Sequence, residues 1–283
     1  MKKIIVSALA ITLLCGCPAP KENTNSNAES NNTEKKPDPE KKDFKVNFDV
    51  LNSMPDPIEM VDLIKSIGVE YDNTILNKAA NTEKYNAEYK MALNVGVYSV
   101  DLGYANLHNK TQDAINFLDA TKKMTEGLKV SQYFDFEAIK KITQEKRDLN
   151  ELLLVTGQGL EKMRQGLEDE KRSETVTLVV IGGWLESIYI ASQVAEKADK
   201  QELKEKIADQ KAVITSLIKM VEPNKSSSKH LEELYTDLKK IEEAYQNITV
   251  TPVDGKPSEV KMTKEDFSKL NQAIKDVRNK VVS

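Results

Sequence analysis

The stretch TVTLVVIGGWLESIYIASQVA, Thr175–Ala195, decides how this chain folds. Its apolar residues fall on every side rather than along one stripe, so a helix here must be enclosed by other helices or by lipid. About 21 residues at 1.5 Å each give about 31 Å, enough to cross a bilayer core. Two features favour enclosure by protein. Glu186 would sit near the bilayer centre, at a cost of about 2.5–3.5 kcal/mol. Gly182, Gly183, Ser187, Ser192 and Gln193 dilute the hydrophobicity further. The expectation is the central helix of a bundle, with Gly182 and Gly183 admitting a neighbouring backbone.

Amphipathic segments flank it on both sides. Upstream, Asp56 and Pro57 read as the cap and first position of a helix carrying Ile58, Val61, Leu63, Ile64 and Ile67 and ending at Gly68. A longer helix is predicted from Asn81 or Thr82 past Tyr104, because Tyr85, Tyr89, Leu93, Val97, Val100 and Tyr104 recur at three- and four-residue spacing. A break falls near Asn109 and Thr111, and the next helix runs to about Glu126 with Gly127 as its stop. One further helical stretch spans Phe134 to Leu167, weakened by Gly157 and Gly159.

Downstream, Asp199 reads as the cap of a helix that carries Leu203, Ile207, Val213, Ile214, Leu217 and Ile218 and ends at Pro223. Pro223–Ser228 reads as a loop. Leu231, Leu234, Leu238, Ile241 and Tyr245 mark another helix. Ile248–Thr251 and Val260–Met262 flank a turn containing Asp254-Gly255, a short β-hairpin. Thr263 caps a last helix with Glu265 and Asp266 in its first turn. The fold class expected is all-α: a multi-helix bundle with a central apolar helix and a minor β-hairpin near 247–262.

The N-terminus has a different character. MKKIIVSALAITLLCGC begins with two lysines, continues with an apolar run from Ile4 to Leu14 too short for a stable span, and ends in Leu14-Cys15-Gly16-Cys17. That end resembles the lipobox of bacterial lipoproteins, with Leu three positions before the modified cysteine and small residues between. Cys15 departs slightly from the usual Ala or Ser. It is a poor rival acceptor, because bulky Leu14 would then stand at the cleavage site. The resemblance implies a signal peptide over 1–16, diacylglyceryl addition at Cys17, and a further acyl chain, typically palmitate, on the new amine. Two or three chains give stable attachment to a membrane. Pro18 is not the Asp that retains lipoproteins at the inner membrane in enterobacteria-like systems, so an outer-membrane address is expected, on the periplasmic or surface leaflet.

Residues 18–43, PAPKENTNSNAESNNTEKKPDPEKKD, lack any aliphatic cluster and cannot bury enough surface to offset ordering entropy. Their acids and bases offset one another, which describes a spacer rather than a basic lipid-binding arm. The organisation expected is a signal peptide at 1–16, a lipidated cysteine and tether at 17–43, and a helical domain at 44–283.

Composition narrows the function classes. The 283 residues carry a net charge of −4, so no basic surplus recruits nucleic acid. Both cysteines lie in the leader region, leaving the domain without a disulfide or catalytic thiol. No GxSxG, HExxH, P-loop or dinucleotide-binding glycine pattern occurs, and neither a metal nor a cofactor is expected. His108 and His230 are the only histidines. His230-Leu231-Glu232-Glu233 forms an HxxE pattern that places two ligand types on one helix face, the seed of a metal site or of a site like that of imelysin-like helical lipoproteins, but Ser228 stands where that family's pattern has Gly.

The candidate ligand-binding residues are Asp101, Glu186, Tyr98, Tyr104 and Trp184: Asp101 stands among Val97, Tyr98, Val100 and Tyr104, Glu186 stands beside Trp184 and Tyr189, and tyrosine hydroxyls would complete the shell. Two acids in such apolar settings either meet in the core and bind a cation or polar ligand, or pair singly with Lys, Arg or Tyr, or share a narrow solvent-facing stripe. GVYSVDLGYANLHNKTQDAINFL (Gly96–Leu118) and VVIGGWLESIYIASQ (Val179–Gln193) resemble segments of uncharacterised helical lipoproteins of Bacteroidota-type bacteria, a likeness spanning much of residues 80–220. It implies a helical fold and a cell-envelope address, and brings no activity. The function expected is a non-enzymatic envelope lipoprotein that binds a protein or small ligand or scaffolds an assembly. The alternative is a metal-dependent or hydrolytic enzyme using buried carboxylates.

Overall fold

Backbone meets backbone at the centre of the molecule. In the computed structural model, α1 (Glu88–Leu107) and α5 (Ser173–Ala198) press together where Gly96 faces Gly182 and Gly183. A Cβ on Gly182 would lie 1.9 Å from the Leu93 carbonyl oxygen, and one on Gly96 would lie 2.1 Å from that of Val179. Only glycine permits this approach, and it brings the polar residues of both helices into one small volume. The expectation that Gly182 and Gly183 admit a neighbouring backbone is met by α1.

The structure describes Phe44, Met60, Leu63, Ile64 and residues 67–253 and 256–283, all within a compact unit running from Lys42 to Ser283. The expected signal peptide, Cys17, the expected tether, the expected helix start at Asp56-Pro57 and the expected Asp254-Gly255 turn lie outside the described residues. Among the described residues there are nine α-helices and a two-stranded antiparallel sheet. The central helix α5 is long and apolar enough to cross a membrane, yet its most apolar stretch is 94% buried against other helices. The bundle with a central apolar helix and a minor hairpin is thus the observed fold.

Around the α1–α5 pair, α2 (Thr111–Gly127) covers the other side of α1, followed by α3 (Phe136–Gln144) and α4 (Leu149–Asp169). On the far side lie α6 (Gln201–Asp209), α7 (Lys211–Val221) and α8 (Lys229–Ala244). Strands β1 (Thr249–Val253) and β2 (Lys256–Lys261) pair with Val250 opposite Val260 and rest on α6. The last helix, α9 (Lys264–Val281), returns to pack on α5 and α8. It starts with the expected capping box, in which Thr263 Oγ1 accepts from the Asp266 N–H and the Asp266 carboxylate accepts from the Thr263 N–H.

Several expected boundaries move. The helix predicted from Asn81 or Thr82 begins at Glu88, and Ala79–Lys84 is a 3-10 helix. Asn77 tightens that segment: its Oδ1 accepts from Asn81 Nδ2 at 2.8 Å and its Nδ2 donates to the Tyr85 hydroxyl at 3.1 Å. Tyr85 is therefore buried at helical spacing without being helical. Gly127 does not stop α2. It is the last helical residue, where a Cβ would strike the Met91 sulfur, and the left-handed turn falls on Lys129 at φ 58°. The stretch from Phe134 to Leu167 is two helices, broken where Lys146 adopts φ 51° and Asp148 accepts from the Asn150 N–H.

Asp199 is not the cap of the helix that follows it. It ends α5 at φ 47°, and its carboxylate pairs with Lys204 rather than with a helix N-terminus. The helix expected from there to Pro223 is interrupted at Gln210, giving α6 and α7, and Glu222–Ser227 is a 3-10 turn rather than open loop.

The glycine contact makes a paired prediction. Gly182→Ala forces α1 and α5 apart and lowers stability by about 3 kcal/mol or more. Gly157→Ala, at an exposed helical position with nothing within 4 Å of the new methyl, raises it by about 0.5–1 kcal/mol. Urea unfolding of both variants checks this; equal effects would show that the two helices are not in backbone contact.

Candidate functional site

Asp101 from α1 and Glu186 from α5 both point into the core, and each is 0% exposed. The carboxylates are near enough for their charges to interact. The structure therefore brings together the two acids singled out in the sequence, and adds a third group. Arg278, on α9 and only 6% exposed, donates from Nε to Glu186 Oε2 at 2.8 Å and from Nη2 to Glu186 Oε1 at 2.7 Å. The same Nη2 reaches the Ile75 carbonyl at 3.3 Å, and the guanidinium lies 4.5 Å from the centre of the Tyr189 ring. A bidentate pair of this kind satisfies both carboxylate oxygens with fixed geometry. Burial works against the charge on Arg278, but Glu186 outweighs it and holds the guanidinium above its usual pKa.

Asp101 is less well served. Its Oδ2 accepts from the Asn77 backbone N–H at 3.2 Å, while its buried Oδ1 meets no donor among the described residues. Burial, and after it the Glu186 charge, push this carboxyl well above the ordinary range, with Arg278 and the Asn77 N–H pulling the other way.

An amide and phenol network closes around the acids. Asn77 Nδ2 donates to Asn94 Oδ1 at 3.1 Å, and Asn94 Nδ2 donates to the Val281 carbonyl at 3.0 Å. The Tyr85 hydroxyl donates to the Val282 carbonyl at 2.9 Å. These bonds tie the segment before α1, α1 itself and the end of α9 into one polar knot. Burial raises the pKa of Tyr85, Tyr98 and Tyr189, so these phenols are neutral.

The other candidate residues part company with the pair. Tyr98 senses the Asp101 charge, but its hydroxyl donates to the Lys78 carbonyl at 3.0 Å. Tyr104 turns to the surface-proximal loop, where its oxygen accepts from the Asp72 N–H at 3.4 Å and its ring stacks on Tyr71 at 5.3 Å. Trp184 faces the α6–α7 junction and donates from Nε1 to Gln210 Oε1 at 3.0 Å. The residues missed in the sequence are Arg278, Asn77, Asn94 and Tyr85. Arg278 had a legible signal. It falls on the same stripe of α9 as Phe267, Ile274 and Val281, where a lone base implies a buried acid.

Outside the core, a groove of about 690 Å³ opens where α1 begins, α8 begins and α9 ends, lined by residues that include Tyr89, Leu178, His230, Asp237, Lys240 and Lys280. His230 stacks on Tyr89 with ring centres 4.5 Å apart. Its Nε2 lies 2.7 Å from Glu174 Oε1 and 3.2 Å from Ser228 Oγ. Ser, His and Glu are the members of a hydrolytic triad, but such a triad needs the nucleophile and the orienting acid on opposite ring nitrogens of the histidine base. Here both contacts fall on one nitrogen, and Ser228 Oγ also caps α8 by accepting from the Leu231 N–H. The HxxE residue Glu233 pairs with Lys229 instead of joining His230. Among the described residues, no three His, Cys, Asp or Glu side chains cluster as a metal-ligand set.

No protein-family model, curated protein or solved structure matches the chain.

The Arg278–Glu186 pair yields a double-mutant test. Arg278→Met leaves Glu186 buried without its counterion and costs about 3–5 kcal/mol. Adding Glu186→Leu in the same chain recovers most of that loss, because an apolar pair of similar volume replaces an ion pair that was costly to desolvate. A double variant no more stable than Arg278→Met alone would mean that the guanidinium acts mainly through Ile75 and Tyr189.

Proposed function

We propose that the chain is a cell-envelope lipoprotein, anchored through Cys17, whose helical domain binds or scaffolds rather than catalyses. One observation carries the non-enzymatic half of this reading: Asp101 and Glu186 are fully buried, and Arg278 occupies both oxygens of Glu186. A general acid or base must come within hydrogen-bond reach of a substrate proton, and a carboxylate closed off in this way does not. The enzyme alternative needed those two acids in a water-accessible pocket. The second place where catalytic residue types gather, at His230, has its contacts on the wrong atoms for proton relay.

The anchoring half rests on Leu14-Cys15-Gly16-Cys17 behind a short apolar run, followed by a polar spacer. Two or three acyl chains on Cys17 hold the domain at a membrane, with the outer membrane favoured by Pro18, and the spacer sets its distance from the lipid surface. In this reading the partner is a protein or a small ligand met at the domain's surface, and the groove beside Tyr89 and His230 is the place to look for it.

Cys17→Ser tests the anchor in cells. The expected result is loss of radiolabelled palmitate incorporation and persistence of the uncleaved precursor, whereas Cys15→Ser leaves labelling and processing unchanged. Palmitate retained by Cys17→Ser would move the acceptor to Cys15, and a wild type that takes up no palmitate would remove the lipoprotein reading.

A further inference from the structure

We propose that Asp101 is a proton-binding site built into the core, folded as a carboxylic acid whose O–H is directed to the Glu186 carboxylate. The charged and titratable groups facing Asp101 are Glu186 and Tyr189 from α5, Arg278 from α9, Tyr71 from the segment before α1, and Tyr98 from α1 itself, while Tyr85 faces Glu186 and Arg278. The phenols are neutral at physiological pH. That leaves two carboxyl groups and one guanidinium, so ionising both acids would bury a net negative charge away from water. Proteins avoid that state by taking up a proton or a cation.

Hydrogen-bond geometry selects the proton and assigns it to Asp101. Arg278 directs two donors at Glu186 and a further contact at the Ile75 carbonyl, and acts on Asp101 through its charge. As a carboxylate, Asp101 would leave Oδ1 without a donor at 0% exposure. As an acid, the same oxygen becomes a donor, and each Glu186 oxygen retains a free lone pair to accept it. Two acids in one site with one strongly favoured proton is a known outcome of such crowding. The cation alternative has little room, because Arg278 already fills the cationic position.

This proton stands where α1, α5 and α9 meet. Losing it adds a second negative charge at the junction that α9 closes through Arg278. In the unfolded chain Asp101 has an ordinary carboxyl pKa and is ionised at neutral pH. The folded state therefore binds one more proton than the unfolded state above the ordinary Asp range. Its contribution to stability is complete below that range and is lost as pH rises toward the folded-state pKa.

Chemical unfolding of the full chain from pH 6.5 to 9 tests the assignment, alongside Asp101→Asn, which keeps an acceptor for the Asn77 N–H and supplies a permanent donor to Glu186. In the wild type, the unfolding equilibrium constant is expected to rise by up to about tenfold per pH unit. In Asp101→Asn that dependence flattens, and the variant unfolds with a lower constant than wild type at pH 9. Parallel profiles for the two proteins would overturn the proposal. So would a wild-type stability at pH 9 that is restored by sodium, potassium, magnesium or calcium ions, since a cation would then replace the proton. If Asp101→Asn does not fold, proton release on wild-type unfolding decides. In weakly buffered solution at pH 7.5, where free histidine is mostly neutral, release of about one proton per chain supports the proposal, and release near zero overturns it.

Discussion

The close approach of α1 and α5 is the constraint on which the rest of the structure depends. With Gly96, Gly182 and Gly183 removing side chains from the contact, the helix axes draw nearer than Leu or Ile would allow, and the polar positions that follow are carried inward together. Asp101 is five residues beyond Gly96, and Glu186 is three beyond Gly183. A wider spacing would leave room for water between the acids. At this spacing they are sealed, and their charges must be balanced by protein groups. The buried acid pair is thus a consequence of backbone packing, and Arg278 is its counterpart on the last helix to join.

That order of dependence explains an arrangement that is poor on energetic grounds alone. A buried ion pair rarely stabilises a fold relative to an apolar pair of the same volume. It does discriminate. Glu186 accepts a partner only at the register that brings Arg278 opposite, and Asn94 and Tyr85 accept the end of α9 only where the Val281 and Val282 carbonyls fall. Among amphipathic helices that each offer an apolar face, such polar keys restrict how α9 can dock. Gln193 Nε2 donating to Asn271 Oδ1 at 2.7 Å extends the same matching along the α5–α9 contact.

What could be read from the sequence divides along physical lines. Helices existed where apolar spacing was strong, and α5 was legible as an enclosed helix because one acid and several small polar residues count heavily against lipid. Helix ends were harder. Lys129, Lys146 and Lys171 take left-handed backbone angles at helix ends, where glycine or asparagine would be the expected residue. Lysine offers a favourable charge beside a helix C-terminus, but that preference is too weak to mark a position in advance. Asp199 was misread because aspartate suits both a helix cap and a left-handed turn, and only the neighbouring Lys204 decides between them. Tyr85 kept helical spacing while lying in a 3-10 connection tied by Asn77. The meeting of Asp101 with Glu186 was conceivable from the sequence, but their partner was 92 residues from Glu186, and no local pattern carries that distance.

The same geometry sets what kind of protein this is in the reading proposed above. A core that closes over its acids gains specificity of folding and gives up access to substrate. In that reading recognition falls to the surface, where a groove has lysines already paired: Lys240 and Lys280 both contact Asp237, and Lys229 contacts Glu233. Such pairs are weak at the surface and exchange readily for an incoming charged group. A groove edged by exchangeable ion pairs, with the Tyr89–His230 stack at one end, suits reversible recognition better than the fixed, desolvated constellation that catalysis requires. In the reading proposed above, a helical body with its polar residues locked inside suits holding a partner by its surface while Cys17 carries the anchor.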